Sequence, residues 1–164
     1  MKPTPIPPEP GQESVWTYPR PPRLERTSKV IEVVFAGEVV ARTTRAWRVL
    51  ETSHPPVYYL PREDVRPDVL ALAAGASFCE FKGEASYWTV RVGERRATSA
   101  AWSYERPAAS FEAIAGHVAF YASLMDACFV AGERVTPQPG GFYGGWITSD
   151  VVGPFKGELG SFGW

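Results

Sequence analysis

Apolar positions in this chain recur mostly at every second residue, in short runs broken by glycine, proline and small polar residues. In SKVIEVVFAGEVVART, two β-branched runs, Val30 to Phe35 and Glu38 to Arg42, flank Ala36-Gly37 and predict a hairpin. WRVLET (Trp47 to Thr52) and VYYL (Val57 to Leu60) predict two further strands, separated by a loop at His54-Pro55-Pro56. PREDVRPDVLALAAG predicts one or two helical turns ended by Gly75, and SFEAIAGH a short helix with Ser110 as N-cap and Gly116 at its end. VAFYA and DACFVAGERV read as strands again, the second turning at Gly132. Short strands dominate and helices are few, so the pattern predicts a mainly β, compact antiparallel domain rather than βαβ units.

The segments ASYWTVRV and RRATSAAWSY predict a second hairpin, closed by a Gly-first turn at Gly93-Glu94. Its register then pairs Val92 with Arg95, Thr89 with Thr98, Tyr87 with Ala100 and Ala85 with Trp102. Because strand side chains alternate, Trp88 and Val90 share one face with Ala97, Ser99 and Ala101, which reads as core. Tyr87, Thr89 and Arg91 share the other face with Trp102 and Tyr104. Aromatic planes mixed with hydroxyls and an arginine have the composition of a half-wet binding wall. For any single one of these aromatics, ordinary cross-strand packing is the commoner role; their shared face is what points to a site.

The ends of the chain differ in composition. Eight prolines between Pro3 and Pro22 favour an extended polyproline conformation, so residues 1–28 read as a proline-rich tail. Trp16 and Tyr18 are too apolar for a free tail, which predicts partial docking near Trp16. Residues 29–135 form the expected β core domain. The glycine- and aromatic-rich residues 136–164 read as an irregular arm wrapped on it.

One hundred and sixty-four residues suffice for one core without disulfides or metal. Seventeen basic against eighteen acidic side chains leave a net charge of −1, which gives no field to hold a polyanion and argues against nucleic acid. Cys79 and Cys128 form no C-x-x-C pair, and no four-ligand metal set exists, so neither metal nor cofactor is expected. The N-terminus has no apolar leader and no later run approaches a membrane span, which leads to the expectation of a soluble cytoplasmic protein.

Chemistry concentrates in CEFKGEASYW, Cys79 to Trp88. Lys82 is either a solvated strand-end cation or, if buried, an anion ligand. Cys79 could act as a nucleophile only with a lowered pKa, and no histidine neighbours it in sequence. Glu80 and Glu84 could form an acid/base pair, or point apart into solvent. FKGE recurs as Phe155-Lys156-Gly157-Glu158, so the arm carries a second lysine beside aromatics, with Trp146 near it. His54 and His117 read as structural, and no P-loop or nucleophile elbow is present.

Four stretches in order, YYLPREDV, CEFKGEASYWTV, AAWSYERP and HVAFYASLMD, resemble the bacterial family known as domain of unknown function 427. The resemblance covers roughly residues 29 to 135, and the arm GFYGGWITSDVVGPFKG resembles the extension of longer members. Where that family usually has Cys-Pro-Trp-Lys-Gly, this chain has Glu80 and Phe81 in place of the proline and tryptophan. Cys79, Lys82, Gly83, Tyr87, Trp88, Trp102 and Tyr104 match. The resemblance implies a single antiparallel β domain of complex or tent-like type, similar to zinc-carrying relatives whose paired C-x-x-C ligands are missing here. The family also carries a nucleotidyltransferase-like label, but this chain has neither the Gly-Ser nor the paired-aspartate signature of those enzymes.

The expected function is small-ligand binding, or an accessory role, centred on Lys82, Tyr87, Trp102 and Tyr104. Lys82 would meet an anionic group and the aromatics a planar one. Cys79, Glu80, Glu84, Trp146 and Lys156 are secondary positions. Two alternatives stand beside it: an enzyme acting on a small, nucleotide-like substrate through Cys79 or Lys82, and a protein-interaction module using tail and arm.

Overall fold

The computed structural model describes residues 2–164. Its strands are β1 (Glu13–Ser14), β2 (Arg23–Arg26), β3 (Ile31–Phe35), β4 (Glu38–Thr43), β5 (Trp47–Leu50), β6 (Val57–Tyr59), β7 (Leu70–Cys79), β8 (Gly83–Val92), β9 (Arg95–Ser103), β10 (Val118–Phe120), β11 (Ala127–Val130), β12 (Glu133–Arg134), β13 (Thr136–Pro137), β14 (Trp146–Ile147) and β15 (Val151–Val152). The expectation of a mainly β, antiparallel architecture with few short helices holds. Two four-stranded sheets, ordered β10-β9-β8-β7 and β12-β11-β3-β4, stand beside the three-stranded β2-β5-β6. Leu60, next to β6, and Val118 of β10 exchange both backbone hydrogen bonds at 2.8 Å, which carries the three-stranded sheet into the first four-stranded one. Among the described residues no helix is long and apolar enough to cross a membrane.

The β3–β4 hairpin forms where alternation predicts it, with Ile31, Val33 and Phe35 turned inward and Ala36 and Gly37 at φ 54° and 75°. These side chains pack with Val90, Ala101, Phe120 and Trp146 in the main core. A second cluster holds Tyr59, Ala85, Trp102, Tyr104, Phe111 and Ile114, so the β8–β9 hairpin is buried on both faces. A third, around Val15, Tyr18, Leu50 and Val151, joins the N-terminal segment to the arm. There β1 and β15 pair in parallel, and the half-buried Trp16 donates its indole N–H to the Pro154 carbonyl at 2.9 Å. Within residues 1–28, β2 pairs along its whole length with β5.

Two local expectations are corrected. Residues 61–75 hold only single 3₁₀ turns, Arg62–Asp64 and Pro67–Val69, and LALAAGASFC then forms the edge strand β7. Its alanine and leucine favour helix, but the backbone ladder offered by β8 overrides a propensity of a few tenths of a kcal/mol per residue. The helix expected at Ser110 is a kinked 3₁₀ segment, Ala109–Ile114, which Ala108 precedes and whose Ser110 caps nothing.

The β8–β9 register starts as expected, with Val92 opposite Arg95, and then shifts. Between the pairs Val90–Ala97 and Trp88–Ala101 one residue of β8 faces three of β9, and Ser99 takes φ 52°. Tyr87 therefore faces Trp102, not Ala100. A slip of two residues keeps each side chain on its own face, so the division into a Trp88 face and a Tyr87/Trp102 face survives.

Candidate functional site

Lys82 sits in the turn between β7 and β8. The turn closes at Gly83, whose φ of 108° is one that L side chains avoid, and the Lys82 carbonyl accepts from Ala108 N–H at 2.9 Å. This bond docks the turn on the loop after Tyr104 and directs the lysine stem inward. Only 8% of Lys82 is exposed, and its Nζ lies 5.9 Å from the Tyr104 ring centroid and 5.7 Å from that of Phe111. No carboxylate or carbonyl among the described residues bonds it. The one buried side-chain nitrogen or oxygen lacking a partner among those residues is Arg62 Nε, so the Lys82 ammonium keeps contact with solvent.

Behind it stands an aromatic wall from four elements. Tyr59 of β6, 1% exposed, accepts the Trp102 indole N–H at 3.1 Å and packs against Tyr104 at 6.3 Å. Trp102 packs against Tyr121 with ring centroids 4.6 Å apart and planes tilted by 47°, and Tyr121 donates to the Phe142 carbonyl in the arm. Tyr87, opposite Trp102, is half-buried and shares a 2.7 Å hydrogen bond with Ser77. Burial raises the phenol pKa values of Tyr59, Tyr104 and Tyr121, which leaves Lys82 as the charge that this wall presents.

The sequence-derived positions divide. Lys82, Tyr87, Trp102 and Tyr104 come together with the half-buried Cys79 on this face. Glu80 and Glu84 are exposed, without a hydrogen bond or ion pair to Cys79 or Lys82. Trp146 lies in the main core, 1% exposed, with its indole N–H on the Phe120 carbonyl at 3.0 Å. Lys156 reaches the carbonyl oxygens of Phe162 and Trp164 at 3.3 and 2.9 Å. The contrast within the two FKGE stretches is sharp. Gly83 and Gly157 have φ of 108° and 107°, yet the arm's lysine is capped by oxygens and Lys82 is not.

Sequence reasoning missed Tyr59, Phe111 and Tyr121, which complete the wall from distant segments. Tyr59 and Tyr121 do lie in two of the shared stretches, YYLPREDV and HVAFYASLMD. Two cavities lie elsewhere: one of about 430 Å³ beside Met125, Cys128 and Arg134, and one of about 260 Å³ beside Glu13, Glu25, Arg48, Tyr58 and Asp150. Trp102 is tightly covered, since a Cβ on Gly144 of the arm would fall 2.1 Å from its ring.

No curated protein matches this chain. The profile of the family described as domain of unknown function DUF427, labelled NTP_transf_9, matches residues 23–131. That match takes in β2 through β11, the Lys82 turn and the whole aromatic wall, and by it the chain belongs to the DUF427 family.

Proposed function

We propose that the chain is a cytoplasmic small-ligand-binding or accessory domain, whose site takes an anionic group at Lys82 and a planar group against the tyrosines beside it. The observation that carries this reading is a lysine 8% exposed, flanked by Tyr104 and Phe111, with no acceptor for its ammonium. The ammonium touches solvent at the mouth of this face and has no acceptor within the chain, so its donors are open to an incoming anion. Tyr87, half-buried at the border of the same face, supplies a phenol plane and a hydroxyl.

Isothermal titration of inorganic phosphate and of phenyl phosphate tests the reading. Both should bind the wild-type chain saturably, phenyl phosphate more tightly. Lys82→Met should abolish both, and Lys156→Met neither. Absence of saturable binding to the wild type, or binding that survives Lys82→Met, overturns it.

A further inference from the structure

β7 is an edge strand whose outer side is unpaired. It pairs with β8 alone, and no backbone group from Leu70 to Cys79 bonds any other segment among the described residues. The strand carries no charge and no proline over its ten residues. Edge strands are ordinarily protected by such residues, because an open row of N–H and C=O groups templates pairing with another chain. Leu72 is 71% and Phe78 77% exposed. They lie on one face, since β8 places Leu72 opposite Trp88 and Phe78 opposite Glu84, and residues 84 and 88 of a strand share a side.

We infer that β7 pairs antiparallel with β7 of a second copy of this chain, joining two four-stranded sheets into one of eight strands about a twofold axis at Gly75. The occupant follows from two features. A twofold at Gly75 sets Leu72 opposite Phe78 of the second copy, and Phe78 opposite its Leu72, so each exposed apolar side chain gains an apolar cross-strand partner. At the axis, Ala73, Ala74 and Gly75 stand out of the ladder with β8, and a Cβ on Gly75 would meet nothing within 4 Å, which leaves room for two backbones. A self-paired strand of this kind is isologous and closes as a dimer.

Light scattering coupled to size exclusion, on the full chain over a dilution series, tests this. The mass should be twice 18.1 kDa at high concentration and fall to 18.1 kDa on dilution. Leu72→Asp alone and Phe78→Lys alone should each give only monomer, with thermal unfolding matching that of the wild type diluted to monomer, because both side chains are largely exposed in the single chain. The double variant L72D/F78K should dimerise again, since its two substituted positions face one another with opposite charge. A wild type that stays monomeric overturns the inference, including the case in which a foreign extended peptide takes the edge. So does a dimer that survives both single substitutions, failure of the double variant to dimerise, or open-ended assembly beyond two chains.

Discussion

Trp102 donates its indole N–H to the hydroxyl of Tyr59 across 3.1 Å, linking β9 to β6 behind the Lys82 turn. Tyr59 is 1% and Trp102 8% exposed, so neither group has water as a substitute partner. Tyr59→Phe leaves a buried N–H unpaired and should destabilise the fold by about 1–3 kcal/mol. Trp102→Phe leaves the hydroxyl unpaired and adds the loss of indole packing. The double variant should cost clearly less than the two singles added, because the second substitution removes an already orphaned group. Urea unfolding of the four proteins measures this, and strictly additive losses would show that the bond is energetically idle.

Lys82→Met is expected to act oppositely on binding and on stability. The substitution keeps the unbranched stem between Tyr104 and Phe111 while removing a charge that has no counter-ion. Thermal unfolding should report a small gain, up to about 1 kcal/mol, since the solvent-touching ammonium gives up no partner within the chain. A lower melting temperature for the variant would mean that the ammonium is already stabilised within the chain, and would remove the physical basis for an anion there.

Arg48 of β5, 7% exposed, is held by Glu13 and Glu25, and its bonds to Glu13 fasten β1 to the body. The Arg48 hydrogen bonds, helped by that from Tyr18, hold the Glu13 carboxyl below its usual 4.5. A depressed folded value means that the contribution is complete above about pH 4.5 and is lost as pH falls through the folded value. Glu13→Gln should therefore destabilise the protein at neutral pH by about 1 kcal/mol, a figure kept small because the carboxylate is 42% exposed. The gap between variant and wild type should close as the solution is acidified below pH 4.5. An unchanged gap in acid would show that the pair contributes through packing and not through charge.

Legibility in the sequence followed the range of the interactions. The β3–β4 and β8–β9 hairpins were readable because turn residues and alternation sit within a few positions of each other. The register past Val90 was not, because the extra residues at Thr98–Ala100 carry no glycine to mark a bulge. β7 was hidden by helix-favouring alanine and leucine whose strand state depends on β8. At the site, Lys82, Tyr87, Trp102 and Tyr104 were accessible from one motif and one hairpin. Tyr59, Phe111 and Tyr121 reach the same wall only through sheet order, which no local pattern encodes. The burial that separates Lys82 from Lys156 is likewise tertiary, as both sit in identical FKGE stretches.

Those two stretches make a controlled comparison of backbone strain against steric contact. Gly83 and Gly157 share almost the same positive φ, so alanine carries a comparable conformational penalty at each, about 1–3 kcal/mol. Their surroundings differ. A Cβ at Gly83 would lie 3.5 Å from the Arg106 carbonyl oxygen, an ordinary contact, whereas at Gly157 it would lie 1.9 Å from the Pro139 carbonyl oxygen. Backbone cannot yield as a flexible side-chain end does, so Gly157→Ala must also displace the arm. Gly83→Ala should lower stability by the strain alone, with the Lys82 turn intact. Gly157→Ala should cost several kcal/mol more, and should expose Lys156 by breaking its bonds to Phe162 and Trp164. Denaturant unfolding of the two variants, with limited proteolysis of the arm, gives the ranking. Equal losses, or a larger loss at Gly83, would contradict the close packing of Gly157 against Pro139.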